Sequence, residues 1–517
     1  MYYIWIIARR QFTENIISLR LFIGLIICLA LFVSSTYVLM EDYEKRLSVH
    51  NAAEIEHRNA LEAVKVYSHL KAEVAKPPEP LSVICLGIER QLGSAVTVSY
   101  EDVPTEAKIL SGGNPLLNVF AAVDGVLMVQ IAFSLFVIAI AYDVICGERE
   151  SGTLALVASN PVSKYHILIG KYIGGMTSLL VPLAIGWTAG AILIHANPAI
   201  EFHIAEWSRL GILFIVSGLY LSVFFLLSML VSASTGRSAR ALVWLLFLWI
   251  LIVFIIPNSG VYLAKQIQPI PSKAVVNIES AAITTAFREK IRDYGAKHQS
   301  DSYFKTGYSV ISGNRPFAFM VLTASREAML WYLDGAQFYI PQRIAYAEQI
   351  GNLHQEYYRS LKRQTVLAEN LSRLSPAWVY YNVSAGLSGT DVRRHEQFIH
   401  QAEDYRRTLM AYMQEQGAFS SISWFAPGNI DDMSSQAGLV ASDEDAFLAN
   451  LTPKSWDDVE PLDLSGMPVF TIGPTWGNIA LGGAFPDLVY LIFLNVLLFL
   501  ITGAMFLKSE VRREDVT

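Results

Sequence analysis

The amino-acid sequence predicts an all-α polytopic membrane protein with six transmembrane helices, joined to a mainly helical domain with minor β structure outside the membrane. Three observations predict this fold. Of the 517 residues, 53% are hydrophobic and 16% are charged, and the mean hydropathy is +0.37, so the chain is more apolar than soluble domains are. Six segments are long and apolar enough to cross a bilayer. Two stretches between them, 41–116 and 264–487, are too polar to lie in lipid.

The predicted spans divide the chain into membrane and soluble parts. The spans are expected at residues 21–40, 117–145, 167–194, 210–231, 241–263 and 488–507. Spans two to five and their connections form the unit 117–263, and a short tail, 508–517, comes after the last span. Because the number of spans is even, both chain ends are expected on the same side of the membrane.

The distribution of charge predicts which side this is. Basic residues are concentrated close to the spans on the side of the chain ends: Arg9, Arg10, Arg20, Arg149, Lys164, Lys171, Arg237, Arg240, Lys508, Arg512 and Arg513. The short loop 196–208 on the other side contains Glu201 and Glu206 and no Lys or Arg. The positive-inside rule therefore predicts that the N-terminus and the C-terminus are cytoplasmic and that the stretches 41–116 and 264–487 are extracytoplasmic.

The first 20 residues are basic and precede an apolar run, as they would in a signal peptide. The run is long enough to span the membrane, however, and no small-x-small cleavage site closes it. Apolar residues recur at roughly helical spacing around Arg9 and Arg10. Residues 1–20 are therefore predicted to form an interfacial elbow helix before the first span.

The extracytoplasmic segment 41–116 begins with good helix formers that continue to Pro77 and Pro78, which predicts a helix extending the first span away from the membrane. Two β-branched runs, 81–88 and 95–100, are candidate strands. The larger part, 264–487, is long enough for its own core. Its near-heptad apolar spacing in 346–371 and 398–412 predicts long packed helices, as in a helical hairpin.

A charged segment separates the second and third predicted spans. Glu148 and Glu150 precede Ser151, Gly152 and Thr153, and acidic groups with a capping serine are typical of a helix N-terminus. Leu154 gives this helix an apolar side, and Pro161 ends it. Residues 148–164 are therefore predicted to form a short helix at the membrane surface.

The chain then re-enters the membrane. Ser163 lies between Val162 and Lys164, where its hydroxyl can cap the third span. Further along, Gly170 precedes Lys171, whose ammonium group is expected to snorkel to the membrane surface.

These residues resemble the coupling-helix region of ABC exporter permeases of the second class, the six-span family also called type V. The family pattern is Glu-x-Gly-Thr-Leu, then Pro-Val-Ser, then Gly-Lys. It is met here by Glu150, Gly152, Thr153, Leu154, Pro161, Val162, Ser163, Gly170 and Lys171. The resemblance implies that these residues, with Glu148, Ser151 and Lys164, couple the permease to an ATPase. An ordinary cytoplasmic loop with a capped helix is the alternative.

The resemblance also implies partners. An ABC ATP-binding subunit would use ATP and Mg²⁺, whereas this chain would bind no cofactor. A second copy, or a closely related permease, would complete the membrane part in a bacterial inner (plasma) membrane, and the large insertion would leave room for an extracytoplasmic protein partner.

A second resemblance lies in the predicted external domain. Ser375-Pro376, Gly389-Thr390-Asp391, Phe398, Glu403, Tyr405 and Arg406 resemble a pattern in a subset of these permeases with a large external insertion of uncharacterised function. By their residue types, Thr390 or Asp391 caps a helix, and Phe398 and Tyr405 face its core. Glu403 and Arg406 are spaced to pair at i, i+3.

Several other chemistries have no support. No Gly-x-x-x-x-Gly-Lys-Ser/Thr sequence is present, so the chain is not expected to be an enzyme that hydrolyses ATP, and no catalytic residues are predicted. His395 and His400 are five residues apart, so their side chains point about 140° apart on a helix and predict no metal site. The net charge is −7 without a basic block, which argues against a nucleic-acid partner.

Three polar residues lie in apolar runs: Asp124, Gln130 and Asn495. Unpaired polar groups are costly in lipid, so these residues are expected to face protein or water. They either form hydrogen bonds between helices or line a transport pathway, and the sequence does not distinguish the two.

Taken together, these patterns predict the permease subunit of an ATP-driven transporter, of the exporter type. One alternative is a mechanical transmitter that acts on an extracytoplasmic partner while nothing crosses the membrane. Another, implied by resemblance to permeases of copper-enzyme maturation, is the supply of a maturation factor for a metalloenzyme. The sequence does not name a substrate.

Overall fold

The structure, a computed structural model, describes residues 2–110, 123–153, 162–298, 309–311, 320–323, 326–427, 459–473 and 480–508. Its helices are α1 (Tyr2–Ile17), α2 (Leu19–Glu62), α3 (Gly125–Glu150), α4 (Lys164–Ala196), α5 (Ile204–Ser234), α6 (Ser238–Ile267), α7 (Lys273–Lys297), α8 (Arg326–Ser372), α9 (Pro376–Ser388), α10 (Val392–Glu415) and α11 (Ala480–Lys508). The strands are β1 (Ala72–Ala75), β2 (Ala95–Val98), β3 (Ser309–Ile311) and β4 (Met320–Thr323). They form two antiparallel pairs, β1 with β2 and β3 with β4.

Six helices are long and apolar enough to cross a bilayer: α2, α3, α4, α5, α6 and α11. This confirms the predicted all-α polytopic fold with six spans. Most of these helices begin before or end after the predicted limits, because the helical backbone continues into polar residues that a hydropathy pattern leaves out. Residues 117–122 of the predicted second span lie outside the described residues.

The spans pack around α5, whose middle is fully buried at Tyr220, Phe224 and Phe225. At one end of the bundle, α1, the last turn of α3 and the connection between α5 and α6 come together. We call this the loop end. The opposite end, which we call the domain end, continues into the soluble part of the chain.

The first span does continue into the soluble part as predicted, but α2 ends at Glu62, and the prediction that this helix reaches Pro77 is wrong. Tyr67, Leu70 and Val74 are buried in the core of the soluble domain, and residues 72–75 pair with β2. Burial in that core outweighs the helix propensity of the segment. The run 95–100 does contain a strand, whereas 81–88 contains a 3₁₀ turn instead of one.

The soluble domain has its own core around Trp424, Tyr100 and Phe398. The predicted long helices are α8 and α10, and Asp391 caps α10 by accepting a hydrogen bond from the Arg394 amide. Burial raises the pKa of the Asp391 carboxyl.

The predicted pair between Glu403 and Arg406 does not form. The Arg406 guanidinium donates instead to the carbonyls of Ser99 and Tyr100, and the Glu403 carboxylate accepts from Gln355 at 2.8 Å. The backbone carbonyls that follow β2 accept these hydrogen bonds, and the spacing of residues along α10 alone does not reveal them.

A buried charge network joins the domain to the first span. Arg46 of α2 lies 2.9 Å from Asp42 and 3.0 Å from Glu89. Glu79 lies 2.9 Å from Arg394 of α10. The side chains of Arg46, Glu89, Glu79 and Arg394 are each at least four-fifths buried, so the network fixes α10 and the 79–89 segment against the extension of α2.

Candidate functional site: a charged clasp at the loop end

The strongest contact at the loop end joins α3 to α4. Lys171 is 3% exposed, and its Nζ atom lies 2.8 Å from the carboxylate of Glu148 and 2.8 Å from the carbonyl oxygen of Val144. The expectation that this ammonium group snorkels to the surface is wrong. A buried ammonium group is stable only beside an anion and further acceptors, and the last turn of α3 provides both.

Two neighbouring charges contact the junction between α5 and α6. Arg149 donates to the carbonyl of Thr235 at 3.2 Å and to that of Ala233 at 3.3 Å, where α5 ends. The Glu150 carboxylate accepts from the Ser238 amide at 2.9 Å and from its hydroxyl at 2.6 Å, where α6 begins. A cation at a helix C-terminus and an anion at a helix N-terminus both complement the helix dipole, so each charge stabilises a different span.

The remaining contacts reach the first and last spans. Asp143 lies 2.9 Å from Arg20, two residues into α2. At the start of α4, Lys164 donates to the Leu507 carbonyl at 3.0 Å, near the end of α11. Asp143, Glu148, Arg149 and Glu150 therefore contact α2, α4, α5 and α6 respectively, and we call these four residues of α3 the clasp.

Helix α1 packs closely on α4, the helix that contains Lys171. An ideal Cβ atom on Gly174 would lie 2.3 Å from the Ala8 carbonyl oxygen, and one on Gly170 would lie 2.8 Å from the Ile7 side chain. Glycines four residues apart therefore let two helices approach closely. Asn15 of α1 also donates to the Ser178 hydroxyl at 2.8 Å.

The segment after the clasp differs from the prediction. The last turn of α3, from Cys146 to Glu150, contains Glu148 and ends at Ser151, so the predicted continuous helix 148–164 is interrupted there. Thr153 is helical again, and the rest of the helix that Ser151 is predicted to cap, residues 154–161, lies outside the described residues. The Ser151 and Thr153 hydroxyls donate to the Glu148 carbonyl. Gly152 has a φ of +76°, which L side chains rarely adopt, and this break separates the clasp from the next residues of the loop.

The other predicted coupling residues lie at the start of α4 and in the loop before it. Ser163 caps α4 as predicted, because its hydroxyl accepts from the Tyr165 amide. Val162 packs against the bundle core. Leu154 and Pro161 lie outside the described residues.

The three polar residues in the spans are all half-buried or buried. Asp124 caps α3 by accepting from the Leu127 amide, and it also accepts from the Leu86 amide. The Asn495 amide donates to the Leu219 carbonyl at 3.1 Å. For Gln130, the backbone carbonyl accepts from the Tyr220 hydroxyl at 2.9 Å. The Asn495 side chain and the Gln130 backbone each connect two spans, whereas Asp124 connects the start of α3 to the segment 79–89.

A helix that sequence reasoning missed lies between the spans at the domain end. The Tyr380 ring in α9 stacks on Tyr220 of α5 with ring centres 4.5 Å apart, and its hydroxyl lies 2.9 Å from Ser217. Before α9, the Ser375 hydroxyl donates to the Ile252 carbonyl of α6 at 2.5 Å. Within α9, Asn382 donates to the buried carboxylate of Asp487 in α11 at 2.6 Å.

A signal for α9 is present in the sequence. Its 13 residues are mostly apolar and begin with Pro376. Ser375 caps the start of the helix, and Gly389, which has a φ of +73°, follows its end. An apolar helix too short to span is typical of a buried or re-entrant segment. The sequence does not show which helices would cover it.

The geometry is that of a six-span membrane subunit whose spans are held together at one loop. A family model described as ABC-2 family transporter protein matches residues 5–404. The match covers more than half of the chain, so the chain belongs to this family of ABC transporter permeases.

Two curated relatives are similar to part of the chain. It is 31% identical over 125 residues to the "Probable ABC transporter permease protein NosY" of Stutzerimonas stutzeri, and 30% identical over 118 residues to the protein of the same name from Pseudomonas aeruginosa. Each match covers 22% of this chain and 43% of the relative. The chain thus matches less than half the length of these relatives.

Proposed function

We propose that this permease couples ATP hydrolysis in a partner subunit to substrate movement across the membrane, and that the clasp transmits the motion. The partner would be an ABC ATP-binding subunit that binds ATP and Mg²⁺ and docks at residues 148–164. The loop end is then cytoplasmic, the soluble domain is extracytoplasmic, and a second permease completes the transporter in a bacterial inner membrane.

One observation supports this proposal above the others. Within eight residues of α3, four charged side chains contact four other spans. A displacement of the adjoining loop would be passed to α4 through a buried ion pair and to α5 and α6 through their helix ends. Packed elements joined in this way move as rigid bodies, which is the usual form of such transitions.

The clasp also changes what Glu150 is expected to do. Both of its carboxylate oxygens accept from Ser238, which supports a role for Glu150 in connecting α3 to α6 instead of pairing with a basic group on the partner. Glu150→Ala should therefore leave the ATP-binding subunit bound while it lowers the stimulation of ATPase activity by the permease.

A double-mutant cycle tests this role. Glu150→Ala, Ser238→Ala and the double variant are purified with the ATP-binding subunit, and bound subunit and ATPase rate are measured for each. We expect both single variants to lower the stimulated rate and the double variant to lower it no further, because the two residues act through one contact. Additive losses, or loss of the bound subunit in Glu150→Ala alone, would assign Glu150 to the docking surface instead.

A mechanical transmitter is the second candidate function. The buried charges around Arg46 and the insertion of α9 beside Tyr220 both join the soluble domain to the spans, so movement of the spans would move the domain. Hydrogen exchange of the complex with and without ATP distinguishes the candidates. Changes that extend through β1, β2 and α10 favour a transmitter, whereas changes confined to the spans and α9 favour transport alone.

A further inference from the structure

The end of α8 runs antiparallel to the end of α6. The Ser372 hydroxyl donates to the Pro257 carbonyl at 3.1 Å, and the Gln364 amide donates to the Gln268 carbonyl at 2.7 Å. Between these contacts, a Cβ atom on Gly260 would lie 3.1 Å from the Ala368 carbonyl oxygen. The position of a residue along α6 therefore indicates how deep in the membrane the neighbouring residue of α8 lies.

These contacts between α6 and α8 lie at the membrane surface on the side of the domain end. The apolar part of α6 begins after Arg240, and a hydrocarbon layer of about 30 Å corresponds to about 20 helical residues, which ends it near Val261. Tyr262, directly after this point, is 64% exposed, as is typical of aromatic residues at the headgroup level. The residues of α8 from Asn370 back to Arg359 consequently extend from this surface through the headgroup layer.

A cavity of about 570 Å³ opens at this level. It is lined by Gln268, Arg359, Lys362, Arg363, Val366, Leu367 and Asn370. Lys362 pairs with Glu396 of α10 at 2.7 Å. Arg359 and Arg363 lie one helical turn apart and are exposed, and neither has an ion-pair partner among the residues that the structure describes.

Apolar side chains are exposed in the cavity wall and on the chain beyond it. Val366 is 45% exposed, and beyond it Leu374 is 70% exposed. Two exposed guanidinium groups above exposed aliphatic side chains match a molecule that is anionic at one end and apolar at the other. Guanidinium groups bind phosphate oxygens in a bidentate manner, so a phosphate is the anion that they fit best.

We propose that this cavity binds the phosphate headgroup of an anionic phospholipid from the leaflet at the domain end. Arg359 and Arg363 bind the headgroup, and the amides of Gln268 and Asn370 lie where they can donate to its oxygens. Val366 packs against the glycerol end of the headgroup, and the deeper Leu374 contacts the acyl chains. The lipid would hold α8 against α6, next to the helix α9 that enters the bundle. The proposal requires only that the spans cross a bilayer, and it does not depend on the identity of the partner subunit.

The test measures which lipids remain bound to the protein. The full chain is reconstituted in nanodiscs of equal parts phosphatidylglycerol and phosphatidylcholine. The protein is then released from the nanodiscs in the gas phase, and native mass spectrometry identifies the lipids still bound to it. The test variant is Arg359→Gln with Arg363→Gln. The matched control is Arg288→Gln with Arg292→Gln, because these exposed arginines of α7 have the same spacing and lie away from the cavity.

We expect the wild type and the control to retain phosphatidylglycerol in preference to phosphatidylcholine. In the test variant, the ratio of bound phosphatidylglycerol to bound phosphatidylcholine should fall about tenfold. An equal preference in the test variant and the wild type would overturn the proposal. Competition by millimolar inorganic phosphate, with no dependence on acyl chains, would also overturn it and assign the cavity to a free anion.

Discussion

Lys171 and Glu148 form a buried ion pair, with 2.8 Å between Nζ of Lys171 and the Glu148 carboxylate, across the interface of α4 and α3. The same ammonium group donates to the carbonyl of Val144. The Lys171 side chain of α4 thus neutralises the charge of Glu148 and also donates a hydrogen bond to a backbone carbonyl near the end of α3. Every other contact of the clasp starts within this short segment, so the position of Arg149 and Glu150 depends on this pair.

Removing the ammonium group should destabilise the bundle strongly. Lys171→Met leaves the Glu148 carboxylate without its counter-ion, and breaking a buried pair from one side costs about 3 kcal/mol. We expect a lower midpoint of thermal unfolding in detergent, measured by fluorescence-detected size exclusion. The double variant Lys171→Met with Glu148→Gln should recover part of the lost stability, because no unpaired carboxylate remains buried.

Lys164→Met is the control for that measurement. Lys164 lies in the first turn of the same helix and contacts the Leu507 carbonyl in an exposed position. Exposed polar contacts contribute less than about 1 kcal/mol, so its midpoint should change little. Equal changes in the unfolding midpoint would show that the buried Lys171–Glu148 pair contributes no more to stability than the exposed Lys164 contact.

The close approach of α1 to α4 predicts opposite effects for one substitution at two glycines. Alanine normally stabilises a helix by up to about 1 kcal/mol relative to glycine. Gly211→Ala in α5 should follow this rule, because a Cβ there meets nothing within 4 Å. Gly174→Ala should instead destabilise by about 1–3 kcal/mol, because its Cβ would lie 2.3 Å from the Ala8 carbonyl.

Unfolding midpoints of the two alanine variants check this prediction, and protease cleavage of α1 adds a local readout. Cleavage should be faster only in Gly174→Ala. If both variants gain stability, α1 does not pack on α4 through this glycine.

The stack of Tyr380 on Tyr220 should hold α9 between the spans. Tyr380→Ala removes a fully buried ring, at a cost of about 3–5 kcal/mol, and should release α9. A cysteine placed at the buried Ser384 reports the release: it should resist a water-soluble thiol reagent in the wild type and react in Tyr380→Ala. Tyr380→Phe keeps the ring and is the control. Reaction of the cysteine in the wild-type background would contradict the buried position of α9.

The sequence predicted the spans well because a long apolar run is a local property. Ser163 was also predictable, since a cap lies beside the helix that it stabilises. The contacts of Glu150 and Lys171 were not predictable, because their partners are distant in sequence: Ser238 lies 88 residues after Glu150. Hydropathy gives the cost of burying a charge but not the group that offsets it.

The soluble domain shows the same limit. The heptad spacing found α8 and α10, but the acceptors of Arg406 lie on the chain more than 300 residues earlier. The insertion of α9 results from packing against α5 and α11, which no periodicity within its 13 residues specifies.

The orientation of the bundle gives a further prediction. Ser151 lies at the loop end, and Thr285 lies on the exposed face of α7 in the soluble domain. In intact cells, Ser151→Cys should be shielded from a membrane-impermeant thiol reagent, and Thr285→Cys should react. The native Cys28, Cys85 and Cys146 are buried, so background labelling should be low. Labelling of Ser151→Cys in sealed cells would place the loop end outside.

The most direct test of coupling is the ATPase rate of the purified chain, measured alone and with the proposed ATP-binding subunit. No phosphate-cradling Gly-x-x-x-x-Gly-Lys-Ser/Thr sequence is present, so the chain alone should hydrolyse no ATP. The complex should hydrolyse ATP at a rate that depends on the clasp and falls in Glu150→Ala while the subunit stays bound. Hydrolysis by the chain alone, or a complex whose rate is the same in wild type and Glu150→Ala, would contradict transmission through the clasp.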